Sequence, residues 1–190
     1  SGAGYVVQAS GLAPASVDTL VFAACGPPSL ALLQGLPGTG AQQVALEGFT
    51  FYEAHLALHT DPAYMPADPR WWSFLNCEIN GDHCEATMWL DSVVGAPGLW
   101  KSWVTHRSAP QQVVASASFS HVLPAAASVP AQRQLAALQG RASLWFAGGY
   151  TQAFDAQETA LRSALGIAEG LTGGTPRTQR LHRAIRRGGA

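Results

Sequence analysis

The amino-acid sequence predicts an α+β fold, with helices flanking an antiparallel or mixed β-sheet. Three observations lead there. From Phe49 to His121 the chain turns aromatic and partly alternating, the mark of half-buried strands. Inside that stretch, Asn80-Gly81 separates two strand-like runs, a strong short-range hairpin signal. On both sides of it lie segments with helix starts and stops.

In chain order, Tyr5–Ala9 reads as a short strand. Asp18–Ala24 ("DTLVFAA") is a continuous apolar run, suited to a strand buried on both faces. "CGPPSLALLQ" breaks it, and its prolines fit the start of a short helix over Ser29–Gln34. Gly38-Thr39-Gly40 resembles a nucleotide loop only superficially: Gln43 stands where a third glycine is needed, and no Gly-Lys-Ser/Thr ending follows. A flexible loop is expected instead. "FTFYEAHLALH", the two arms about Asn80-Gly81, "LWKSWVTHR" and "QQVVASASFSH" predict a meander of four or five strands. "VPAQRQLAALQG" reads as a helix with Gly140 at its C-terminal end. "ASLWFAG" is a buried strand, and a long helix follows, with Phe154, Leu161, Leu165, Ala168 and Leu171 at helical spacing. Gly173-Gly174 is expected to end the ordered part.

Composition narrows the function classes. Hydrophobic residues make up 47% of the 190 residues and charged residues 12%, against about 25% charged in an ordinary soluble domain. An external cover over much of the surface would explain that, whether another polypeptide or a homo-oligomer contact. No apolar run reaches the ~18 residues of a membrane span, and Ser1–Ser10 lacks the basic start and apolar stretch of a signal peptide. Five arginines (177, 180, 183, 186 and 187) crowd the last residues, leaving residues 1–172 with 6 basic and 12 acidic side chains, a formal net of −6. That balance argues against a nucleic-acid-binding body. Three cysteines (25, 77 and 84) fit a reducing, cytoplasmic setting rather than a disulfide framework. Cys77, His83 and Cys84 match no zinc spacing, so no metal site is expected.

The strand ending in Gly148-Gly149 and feeding a helix is suited to approach a ligand closely, with helical N–H groups facing an oxygen-rich or anionic group. "LWFAGGYTQAFDAQETALRSALGIAEGL" (144–171) resembles the C-terminal flavin-contacting segment of the flavin-containing amine oxidase superfamily. "ALHTDPAYMP", "ATMWLDSV", "FSHVLPAA" and "AQRQLAALQGRASLWFAG" resemble, in order, a bacterial branch of predicted FAD- or NAD-binding oxidoreductases. The resemblance spans most of residues 18–172.

It implies a fold made of a substrate domain plus the last strand–helix segment of a FAD-binding domain. Residues 1–40 would be a return segment of the FAD domain, 41–127 the substrate-domain meander, 128–172 a helix and the FAD-contacting strand–turn–helix, and 173–190 a basic flexible tail. Gly148, Gly149 and Tyr150 would run along FAD, and Gln157, Glu158 and Thr159 would begin the helix facing the flavin ring. Members usually carry an acidic residue where Gly149 stands and a glycine where Thr159 or Ala160 stands. Tyr52, His55, Trp72 and Trp89, with Trp103, would line the cavity of a small-molecule substrate. Plain sheet packing is the competing role for the aromatics, and a satisfied, partly buried histidine for His55 and His59. Asp61, before proline, suits a turn or cap. No catalytic side chain stands out.

The superfamily's Gly-x-Gly-x-x-Gly unit is absent from the sequence. The resemblance therefore implies the C-terminal portion of a FAD-dependent oxidoreductase that transfers hydride from a small substrate to flavin. Its partner would be a missing N-terminal FAD-binding half, without which this chain would not hold FAD. A non-catalytic binding domain of the same descent, or a subunit pairing with a separate nucleotide-binding half, remain alternatives.

Overall fold

The computed structural model describes residues 4–152 and 156–188, without the side chains of 186–188. It is an α+β structure of two compact units, residues 52–121 forming the second and the flanking segments the first.

In the first unit, strands β1 (Tyr5–Val7) and β2 (Ala15–Val17) pair antiparallel. Strand β3 (Leu20–Phe22) pairs in parallel with a strand far along the chain, Leu144–Phe146, here β9. Around them stand helices α1 (Gly26–Leu33), α2 (Gly40–Glu47), α4 (Ser128–Ala137), α5 (Gln157–Thr172) and α6 (Pro176–Gly188). Phe22 stacks on Phe146 at 5.3 Å, and Leu33, Leu46, Phe49, Leu135 and Leu144 close the core about them.

In the second unit, β4 (Phe51–His59), β5 (Leu75–Asn80), β6 (His83–Trp89), β7 (Trp100–Trp103) and β8 (Val113–Val122) make one sheet in the order β5-β6-β7-β4-β8, with the short helix α3 (Asp91–Val94) between β6 and β7. Only β5-β6-β7 is a meander. β4 is inserted between β7 and β8, a long-range pairing that local sequence does not encode.

Several expectations are corrected. The hairpin at residues 80–83 forms, but its register pairs Asn80 with His83. The two-residue loop is therefore Gly81-Asp82, with the one positive φ (59°) at Gly81, as when glycine leads a type II′ turn. The run Asp18–Ala24 is not buried on both faces: Val21 is 46% exposed, with nothing among the described residues packed over its face. Gly40–Glu47 is a helix rather than a loop, and the Thr39 hydroxyl just before it donates to the Leu36 carbonyl (2.8 Å), with the Leu33 carbonyl at 3.1 Å. Gly173, at φ 70°, does end α5. The chain then forms α6 instead of an irregular tail, opened by a reciprocal cap in which the Thr175 N–H donates to Thr178 Oγ1 and the Thr178 N–H to Thr175 Oγ1. On α5 the buried stripe is Thr159, Ser163, Leu165 and Ile167, while Leu161 and Leu171 are about half exposed. Phe154 lies outside the described residues. No helix among the described residues is long and apolar enough to cross a membrane.

Trp145 on β9 is held against two glycines. A Cβ at Gly140 would lie 2.8 Å from its ring and one at Gly170 2.4 Å away, whereas a Cβ at Gly166, one turn earlier on α5, would meet open space. Gly170→Ala is expected to cost about 1–3 kcal/mol by overpacking, and Gly166→Ala to gain about 0.5–1 kcal/mol by helix propensity. Urea midpoints of the two variants should therefore move in opposite directions.

Candidate functional site

The first unit concentrates its polar contacts at the end of β9. Gln139 fixes that end: its Nε2 donates to the Phe146 carbonyl (2.8 Å) and its Oε1 accepts from the Phe146 N–H (2.9 Å). The chain then passes through Gly148 at φ 148° and ψ 159°, a conformation that glycine tolerates and other residues avoid. A Cβ there would strike the Tyr150 ring at 2.8 Å. Gly149–Thr151 form one tight turn. The Gly148 N–H donates to Ser163 Oγ (3.2 Å), the Thr151 hydroxyl donates to the Gly148 carbonyl (2.8 Å), and the Thr151 and Ser163 hydroxyls lie 3.0 Å apart. Gln132 of α4 donates to the Tyr150 and Gln152 carbonyls. The turn is thus tied to α4 on one side and to α5 on the other.

The expected flavin contacts fall into two groups. Gly148 and Gly149 present backbone. Tyr150 faces inward, 4% exposed, with its ring edge-on to Phe49 (5.3 Å) and Phe51 (5.9 Å). Its hydroxyl makes no hydrogen bond of ordinary geometry. Burial pushes its pKa up to about 12, with the nearby Ser29 hydroxyl pulling the other way. Tyr150 is therefore a core residue that braces the turn from beneath. Gln157, Glu158 and Thr159 open α5. Thr159 is buried, and its hydroxyl accepts the Ala156 N–H (3.0 Å) and donates to the Ala156 carbonyl (2.8 Å). Gln157 and Glu158 are exposed, and Glu158 pairs with Arg162 at 2.7 Å. Ala156, at the N-cap, has no side-chain acceptor to offer the first-turn N–H groups.

Beside this turn is a cavity of about 280 Å³, walled by Gln139, Trp145, Thr151, Gln152, Arg162 and Ser163 among others. Sequence reading missed Gln132, Gln139, Thr151 and Ser163 as builders of the site. The usable signal was the α5 stripe: Thr159, Ser163 and Ile167 recur every fourth residue, and two of the three are polar.

In the second unit the expected cavity residues do not share one wall. Trp72 and Trp89 meet edge-to-face at 5.5 Å, Trp72 also meets Trp100 at 6.1 Å, and the Trp72 indole N–H donates to the Pro66 carbonyl. Tyr52 packs against His121 at 5.7 Å, and its hydroxyl pKa is raised, by burial first and the Glu85 charge second. His55, three residues along β4 and so on the opposite face from Tyr52, is exposed. It contacts Ser118 Oγ through Nδ1 at 2.7 Å. Lys101 sits 5.4 Å from the Trp103 ring. A separate cavity of about 210 Å³ is lined by Tyr64, Met65, Asn76 and Glu78 among others, and by none of these residues. Cys77 and Cys84 share one face of the β5–β6 hairpin with His83 on the other, and both thiols are exposed and free.

The satisfied, buried histidine is His59, fully enclosed between Tyr64 and Trp100. The Asp61 N–H donates to its Nδ1 (3.2 Å), which leaves the hydrogen on Nε2, and Nε2 donates to Ser102 Oγ (2.8 Å). The Ser102 hydroxyl is then free to donate to Thr87 Oγ1 (2.8 Å), which also accepts from Arg107. Arg107 pairs with Glu78 at 2.6 Å and stacks over Tyr64 at 4.1 Å. With Ser102 accepting from the imidazole, the relay holds strands together and does not activate a hydroxyl. Asp61 takes the turn role expected of it, accepting from the Gln111 N–H first and the Ala63 N–H second, which hold its pKa below the usual carboxylate range.

The chain matches no protein-family model and no curated protein.

Burial, with a smaller contribution from Arg107, lowers the His59 pKa below its ordinary 6.5, against the Asp61 interactions that raise it. The folded chain therefore binds this proton less readily than the unfolded chain. Stability from His59 is fully present above pH 6.5. It should be lost progressively as pH falls from there through the lower folded-state value. Urea midpoints measured across that window should fall with pH, and His59→Gln should flatten the dependence.

Proposed function

We propose that this chain is the C-terminal portion of a FAD-dependent, amine-oxidase-like oxidoreductase, whose first unit forms one wall of the flavin site. The observation that carries the reading is the Gly148 turn. It joins the buried parallel strand β9 to the start of α5, where the N-cap residue Ala156 offers no side-chain acceptor. Backbone at Gly148 and Gly149 would lie along the cofactor's ribityl and pyrophosphate groups. The N–H groups of Gln157 and Glu158 would face the flavin ring, where the positive end of the helix favours negative charge. The Glu158 carboxylate is held by Arg162, so its charge is partly compensated beside that ring. When bound, FAD supplies a two-electron acceptor for hydride from a small substrate.

The reading also accounts for the parallel pair. Parallel strands are almost always covered on both faces, yet Val21 is 46% exposed and β3 has no second neighbour among the described residues. A further FAD-binding half, packed on that face and extending that edge, would cover both.

The protein made from its whole open reading frame is expected to purify with flavin absorption in the visible, while this chain alone should remain colourless even with FAD added. Gly148→Val in the longer protein should lower flavin content at least about tenfold, since a branched side chain cannot take that backbone conformation. A longer protein that stays colourless with FAD present would overturn the proposal.

A further inference from the structure

Strand β8 is last in the order β5-β6-β7-β4-β8, so its outer side has no neighbouring strand among the described residues. Every residue from Val113 to Ser120 is exposed, on both faces of the strand. Those eight residues, "VVASASFS", contain no charge and no proline. Folded proteins ordinarily guard a long edge with lysines, a proline, a bulge or a covering element. The opposite edge, β5, is shorter and carries Glu78, which is bound to Arg107. Of the sheet's two edges, β8 is the unguarded one.

We propose that β8 pairs antiparallel with β8 of a second copy of this chain, about a two-fold axis through Ser116. About that residue Ala115 and Ala117 match, and small or β-branched side chains meet larger ones further out, Val114 with Ser118 and Val113 with Phe119. A centre on one residue pairs positions of equal parity, so like faces meet. Val113 falls opposite Phe119 of the second copy, and the same pair recurs across the axis. Ala115 falls opposite Ala117, and on the other face Val114 falls opposite Ser118. β-branched–aromatic pairs are favourable cross-strand neighbours, and no like charges are brought together. The contact is self-complementary and consumes the bare edge of each copy, so it closes as a dimer and does not propagate as a filament. Other occupants of an edge, such as an unrelated strand, gain nothing from this symmetry.

The test is the mass of the full chain by sedimentation, from the low micromolar range upward, together with amide hydrogen exchange. A dimer is expected that dissociates on dilution, with exchange at residues 113–120 slowed in the dimer and released in the monomer. Ser116→Lys sets two ammonium groups facing each other on the axis and should weaken dimerisation by at least about tenfold, with the circular dichroism spectrum unchanged. Phe119→Thr, which removes both aromatic pairs and leaves the strand's β propensity, should weaken it in the same direction. A chain monomeric at every concentration overturns the proposal. So does a dimer that both substitutions leave untouched, or protection of residues 113–120 in a monomer.

Discussion

The parallel pairing of β3 with β9 is the constraint on which the first unit depends. It joins two three-residue segments separated in sequence by the whole of the sheet unit, in the register Leu20↔Leu144, Val21↔Trp145, Phe22↔Phe146. Leu144 and Phe146 are fully buried, so the register cannot slip by one residue without turning both outward. Once it is set, the position of everything after Phe146 follows. Gln139 clasps the strand end, Gly148 takes a backbone shape open to glycine, and Ser163 ties the turn to α5. The geometry offered to a ligand is therefore a consequence of core packing. Tyr150 is the link between the two, a buried ring under the turn that orders the backbone above it.

The second unit is organised differently. Its sheet is held not only by apolar packing but by a polar relay through its centre, from Asp61 through His59 and Ser102 to Thr87 and Arg107. Each group in that relay has a partner, which is the condition under which buried polarity specifies a structure rather than weakening it. The aromatic side chains of this unit gather near the same place, with Trp72 edge-on to both Trp89 and Trp100.

Much of this was legible from residues alone, and what was not has physical causes. β4, β5, β6, β7 and β9 announce themselves by alternation or apolar runs, and the glycine at position 81 marks the hairpin. The insertion of β4 between β7 and β8 was not legible, because strand order is set by long-range pairing. Helix α2 was hidden by Gly38 and Gly40, which read as loop, although the Thr39 hydroxyl before it bonds to carbonyls close by in sequence, those of Leu36 and Leu33. Helix α6 was hidden by its arginines, although the Thr-Pro-Arg-Thr start is a usable capping signal. On α5 the leucines were a mixed guide: Leu165 is buried, Leu161 and Leu171 are about half exposed, and the buried stripe also contains hydroxyls that serve the turn. For the candidate site, the glycines and the helix start were readable. The inward direction of Tyr150 and the split of Tyr52 and His55 onto opposite faces of β4 became visible only with the fold.

The central claim is that the Gly148 turn and the start of α5 form one wall of a flavin site. Amide hydrogen exchange in the protein made from its whole open reading frame, compared with and without bound FAD, addresses it residue by residue. The account predicts slowed exchange at Ala147–Tyr150 and at Gln157 and Glu158 when FAD is bound, with the His59 relay unchanged. Equal exchange at those positions in both states, with protection elsewhere, would contradict it.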